Sequence, residues 1–142
     1  MFVGTSTHTL DDKGRLVLPA RWRQQLEEGA YVSKSLDGCL SVYRAEDFET
    51  WALELREKMK RGAVERGAVR SLSAGAGEVA LDRQGRITIP PQLRSYAGLS
   101  EGVVVIGNLD HIEVWSAERW ADADAAGSSS LINAGPGLED LA

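Results

Sequence analysis

Two copies of one turn-bearing phrase, strands alternating on a period of two, and a helix-rich stretch between them predict an α+β chain, mainly β, built as a double repeat with connecting helices. LDDKGRLVLP fills residues 10–19 and LDRQGRITIP fills residues 81–90, a constant offset of 71. At 142 residues the chain has the length of one ordinary domain. Halves of about 70 residues bury too little surface to be comfortable alone, so the copies are expected to share one core, within the chain or between chains.

The first repeat is expected over 1–50. Val3 to Leu10 is Thr-rich and alternates loosely, which suits a strand. Asp11-Asp12-Lys13-Gly14 reads as a tight turn: the Asp side chain bonds backbone two residues on, and Gly14 accepts positive φ. Arg15 to Leu18 is the returning strand, and Pro19 opens a short helix holding Trp22 and Leu26. Gly29 ends it. Strands at Tyr31–Ser33 and Leu40–Tyr43 follow, joined through Asp37-Gly38.

The second repeat, expected over 76–121, replays that order. Gly77 to Leu81 is strand, Asp82 to Gly85 turn and Arg86 to Ile89 an alternating strand; Pro90-Pro91 then opens a helix with Leu93, Arg94 and Tyr96. Gly98 stands where Gly29 did, and strands at Val103–Ile106 and Ile112–Trp115 are separated by Asn108-Leu109-Asp110. Arg23 matches Arg94 at the same offset. The connector, 51–75, belongs to two helices broken at Gly62: Phe48, Trp51, Ala52, Leu55 and Met59 give the first an apolar stripe, Glu57 and Arg61 are spaced to pair, and Val64 to Leu72 forms the second. Residues 122–142, small and polar with several glycines and Pro136, are expected to be a disordered tail.

Net charge is -5, unevenly divided. Met1 to Gly75 holds 12 Lys/Arg against 11 Asp/Glu, and Ala76 to Ala142 holds 4 against 10. Lys13, Arg15, Arg21 and Arg23 face only Asp11 and Asp12 between Leu10 and Arg23, a local basic edge. One such edge attracts nucleic acid weakly; several on one oligomer raise the effective concentration. The N-terminal stretch lacks the charged and apolar regions of a signal peptide, and no apolar run has membrane-spanning length, so a cytoplasmic protein without a membrane partner is expected. The single cysteine, Cys39, fits a reducing compartment.

Enzyme readings find no support, and no cofactor, metal site or small-molecule substrate is expected. His8 and His111 join no ligand set at metal spacing, Ser33, Ser35 and Cys39 lack a nucleophile context, and SAGAG at 73–77 lacks the Lys-Ser/Thr ending of a phosphate loop. Asp11 and Asp82 beside arginines stay ionised, unsuited to donating a proton. The repeated Asp-x-x-x-Arg has two readings. It pins a hairpin, Asp through the turn backbone and Arg through the carboxylate; or it presents Arg15 and Arg86 at hairpin ends, where a guanidinium fork reaches phosphate or guanine. The two are compatible, since a pinned turn preorganises its arginine.

The opening MFVGTSTHTLDDKGRLVLPARWR, the returning LDRQGRITIPPQLRSYAGL and the closing VVVIGNLDHIEVWSAERW resemble the bacterial MraZ family, related to the AbrB/SpoVT swapped-hairpin DNA-binding domains. The resemblance runs from Met1 to about Trp120. It implies a pseudo-two-fold swapped-hairpin barrel, in which a hairpin from one repeat completes the other, and subunits closing into a ring. It also implies a nucleoid-associated regulator, usually a repressor, of the division and cell-wall gene cluster and its own gene, on double-stranded promoter DNA with tandem G-rich repeats. Carried over by position, the DNA-facing motifs are Asp11 with Arg15 and Asp82 with Arg86. Lys13, Arg21 and Arg23 are added for charge and proximity, and Gly14 and Gly85 as turn glycines. The competing class is an oligomeric protein-interaction scaffold or antitoxin-like partner-binding regulator, which the acidic total favours. The Phe48, Trp51 and Leu55 stripe is a candidate surface for assembly beyond a dimer.

Overall fold

The computed structural model describes residues 1–134. The first repeat runs β1 (Phe2–Thr9), β2 (Arg15–Val17), α1 (Ala20–Arg23) continued by a 3-10 turn (Gln24–Leu26), β3 (Ala30–Lys34) and β4 (Leu40–Arg44). Helices α2 (Ala45–Lys60) and α3 (Arg66–Gly75) lead to the second. There β5 (Gly77–Val79), β6 (Arg86–Thr88), α4 (Pro91–Ala97), β7 (Gly102–Leu109) and β8 (His111–Ser116) repeat the series, and α5 (Ala117–Ile132) follows.

Strand pairing shows the exchange between repeats. A six-stranded antiparallel sheet has the order β1-β7-β8-β4-β3-β5, and a separate two-stranded sheet pairs β2 with β6. Exchanging the repeats turns the six-strand order into its own reverse, so a pseudo-two-fold axis passes between β4 and β8. β1 bonds to β7 of the other repeat, β5 to β3, and β2 to β6. Among the described residues both sheets stay open, with β1 and β5 at the outer edges, rather than closing into one continuously bonded barrel.

This exchange answers the size problem of the half-modules. Leu16, Leu18 and Trp22 from one repeat and Ile87, Ile89 and Leu93 from the other lie in a single apolar cluster between the sheets. Trp22 is buried and meets Phe2 edge to face at 6.0 Å. Burying each such side chain contributes about 1.5–3 kcal/mol, and every one depends on the partner repeat.

The opposite face of the large sheet carries α2 and α5. Phe48 stacks on Tyr31 at 4.6 Å and Trp51 on Tyr43 at 5.4 Å, and Leu55 is buried. The α2 stripe thus packs on the sheet within the chain, with Phe48 and Trp51 left partly exposed. Glu57 pairs with Lys60 at 3.6 Å, one turn position short of the expected Arg61. Trp120 of α5 packs on Trp115 at 5.7 Å.

The disordered-tail expectation is corrected for 122–132, which continue α5. Ser116 caps that helix by accepting from Arg119 N at 3.1 Å, and Ala is the strongest helix former. No α5 residue is fully buried, so composition signalled the lack of core but not the lack of helix. Of the rest of the expected tail, 135–142 lies outside the described residues.

Candidate nucleic-acid interface

The two repeated turns have the same construction. Asp11 Oδ1 accepts the backbone N–H of Lys13 at 3.0 Å and of Arg15 at 2.8 Å, while Arg15 Nε donates to Asp11 Oδ2 at 2.6 Å. In the second repeat Asp82 Oδ1 accepts from Gln84 N and Arg86 N, each at 2.9 Å, and Arg86 Nε donates to Asp82 Oδ2 at 2.7 Å. Gly14 and Gly85 close the turns at φ 77° and 76°, the left-handed region that a Cβ disfavours. Backbone bonds from Gly14 N to Asp11 O and from Gly85 N to Asp82 O, both 3.0 Å, complete them.

The backbone N–H of Arg15 acts most strongly on the Asp11 carboxyl; desolvation opposes it, but with the Arg15 guanidinium and the Lys13 N–H the carboxyl is held below the usual range. Arg86 and Gln84 do the same for Asp82. Each carboxylate therefore stays ionised and occupies one edge of its arginine. The guanidinium is fixed through Nε, and among the described residues no hydrogen bond is made by either arginine's terminal amines.

Register brings the motifs together. Arg15 lies opposite Thr88, and Val17 opposite Arg86. Alternation sends Leu16 and Ile87 into the core and leaves Arg15, Val17, Arg86 and Thr88 on the outward face. Arg15 and Arg86 are thus diagonal neighbours, about 7–8 Å apart at the backbone. Residues 71 apart in sequence form one small face, with partly exposed Val17 beside them.

The added cations divide. Lys13 is exposed at the first tip. Arg23 crosses to the second turn, where its side chain covers Gly85 and its Nε donates to Leu18 O at 2.9 Å. Arg21 is directed elsewhere: its guanidinium lies 4.6 Å from the Trp22 ring centroid, and its Nη2 would stand 3.2 Å from a Cβ on Gly4. Sequence reasoning passed over Arg94, which covers Gly14 as Arg23 covers Gly85. The offset match to Arg23 was its signal. Counting both, Lys13, Arg15, Arg23, Arg83, Arg86 and Arg94 outnumber Asp11, Asp12 and Asp82 by three around the two turns.

No group of side chains among the described residues has the composition of a metal centre, and no described helix is long and apolar enough to cross a membrane. His111 sits in a separate cluster, between Asp110 Oδ1 at 2.7 Å and the buried Glu113 Oε2 at 3.0 Å, stacked on Tyr43 at 4.7 Å. Carboxylates at both ring nitrogens favour the imidazolium.

Comparison with known proteins agrees with this construction. The family described as "MraZ protein, putative antitoxin-like" matches residues 1–70 and 72–134, the break falling within α3. A protein of Corynebacterium jeikeium named transcriptional regulator MraZ is 49% identical over 125 residues, covering 88% of this chain and 87% of its own. Proteins of the same name from Mycobacterium avium and Cutibacterium acnes are 46% and 42% identical, covering 86% and 84% of this chain and 85% and 84% of theirs. With its doubled Asp-x-x-x-Arg turn, its exchanged strands and these matches over nearly the whole described length, the chain belongs to the MraZ family.

Proposed function

We propose that the chain is a sequence-specific DNA-binding transcriptional regulator whose recognition element is the outward face of the β2–β6 ribbon. The observation that carries this reading is the convergence of both Asp–Arg turns on that one face. A two-stranded ribbon fits the major groove, and an arginine fork matches the O6 and N7 acceptors of guanine. Each arginine is aimed by its own carboxylate, so little side-chain freedom remains to be lost on binding. Lys13 and Arg23 add charge at the tips, and Arg21 supplies a more distant cation along the flank.

The relatives' shared name supports transcriptional regulation. Repression of the chain's own gene and of a division and cell-wall gene cluster, from tandem G-rich promoter repeats and at the nucleoid, completes the proposal. A single ribbon offers few phosphate contacts on a protein of net charge -5. Several ribbons on a homo-oligomeric ring engage tandem repeats at high effective concentration and read their spacing. No catalytic step is part of this function.

The test compares DNA fragments with one repeat, several repeats, and several repeats respaced by half a helical turn, with sedimentation giving the subunit number. Expected is an assembly larger than a dimer that binds correctly spaced tandem repeats most tightly. A monomer, or equal affinity for all three fragments, contradicts the proposal.

A further inference from the structure

We infer that Arg94 and Arg23 are reciprocal positioning residues, each fixing the recognition turn of the repeat to which it does not belong. The inference rests on the proposed DNA-binding reading for its functional consequence, but the clamp itself is a property of the free protein.

The geometry is the same on both sides of the pseudo-two-fold axis. At the first turn, a Cβ on Gly14 would lie 2.8 Å from Arg94 Cζ, 3.0 Å from its Nε and 2.8 Å from the Ile89 carbonyl oxygen. At the second, a Cβ on Gly85 would overlap Nε, Cζ and Cδ of Arg23. Both guanidinium groups thus rest on the bare Cα of the opposite turn, an approach that only glycine permits. Backbone bonds cross at the same places: Ile89 N donates to Gly14 O at 2.8 Å, and Leu18 N to Gly85 O at 3.0 Å. Each arginine stands five residues after the crossing residue of its own repeat, Leu18 or Ile89.

The two clamps differ in one bond. Arg23 Nε donates to Leu18 O at 2.9 Å, while Arg94 Nε is buried without an acceptor. Arg94 therefore holds its turn by packing alone. Gly14 immediately precedes Arg15, and Gly85 precedes Arg86. Fixing each glycine from outside its own hairpin fixes the backbone from which the recognition arginine projects, and the Asp bond then sets its side chain. The two turns accordingly depend on each other's helices for their aim.

The test uses full-length protein with Arg94→Met, Arg94→Lys, Arg23→Met and Arg23→Lys, alone and combined with Arg15→Ala or Arg86→Ala. Without DNA, the NMR signals of the Arg15 and Arg86 Nε–H groups report their bonds to Asp11 and Asp82. Arg94→Met is expected to move the Arg15 signal and spare that of Arg86; Arg23→Met does the reverse. On promoter DNA, Arg94→Met with Arg15→Ala departs from the product of the single effects by at least about fivefold, while Arg94→Met with Arg86→Ala multiplies within about twofold. The Lys variants track the Met variants, since lysine keeps the charge but lacks the planar group over the glycine. Signals that move together or not at all, couplings equal for both pairs, or full rescue by lysine would overturn the clamp. If the unaltered protein fails to bind the promoter, the DNA-binding reading falls and the DNA-free signals alone decide the clamp.

Discussion

Replacing Gly14 with Ala tests whether the first turn is held by close approach or merely by its own backbone preference. Two costs are expected. A left-handed conformation at an L-residue costs about 1–2 kcal/mol. The added methyl also meets the Ile89 carbonyl oxygen at 2.8 Å, and that oxygen belongs to a backbone already bonded to Gly14. Forcing such overlap into a packed site costs about 1–3 kcal/mol more, for a total of about 2–5 kcal/mol. Gly62 supplies the control: its φ is 78°, against 77° at Gly14, but nothing lies within 4 Å of its Cβ position. Gly62→Ala should therefore cost only the first part. Gly85→Ala should fall between them, because its methyl displaces the Arg23 side chain rather than backbone. Urea unfolding at one fixed protein concentration measures all three, with stability taken from midpoint and slope. Gly14→Ala and Gly62→Ala equal within about 0.5 kcal/mol would refute the close-approach argument.

Other consequences are open to test. Asp11→Asn keeps an oxygen for the Lys13 and Arg15 N–H groups but loses the ionic hold on Arg15 Nε, so promoter affinity should fall while the fold survives; unchanged affinity would show that Arg15 needs no aiming. Trp22→Ala should cost about 3–5 kcal/mol in thermal or urea unfolding, since it empties the core shared by both repeats. Burial opposes the charge on His111, but bonds to Glu113 and Asp110 outweigh it and raise its pKa above the ordinary 6.5. Its stabilisation is thus complete below pH 6.5 and is lost as pH rises through the raised folded value. Glu113, also opposed by burial, is held below its ordinary 4.5 by His111, Asn108 and Trp115, so its contribution is lost only as pH falls beneath that value. Unfolding free energy from this cluster should plateau between pH 4.5 and 6.5 and decline on the alkaline side, and Glu113→Gln should flatten that decline.

The turns were legible in the sequence because their chemistry is local. Asp, Gly and Arg at fixed spacing determine an Asx-pinned turn whatever surrounds it, and the structure has both. Strand exchange was not legible from spacing, because β2 paired with β6 and β2 paired within its own repeat demand the same alternation; the family resemblance supplied it. Arg94 escaped notice because charge counting singled out the basic first repeat, whereas its role comes from contact across the pseudo-two-fold axis. The α2 stripe was read correctly as apolar, but sequence alone does not say whether Tyr31 and Tyr43 or another subunit covers it. Glu113 sits in an alternating strand at a buried position, and only the pairing that delivers His111, Asn108 and Trp115 to its carboxylate explains a buried acid there.

The outward face of the β2–β6 ribbon is the surface proposed to meet DNA. Val17 lies on that face beside Arg15 and Arg86, opposite Arg86 in register, and is 38% exposed; Leu53 on α2 is 54% exposed and lies away from it. A photo-crosslinking side chain placed at either position and irradiated with the native promoter fragment reports contact directly. Efficient crosslinking is expected from position 17 and none from position 53. Crosslinking from position 53 alone, or none from position 17 in a protein that still binds the fragment, would contradict the proposal.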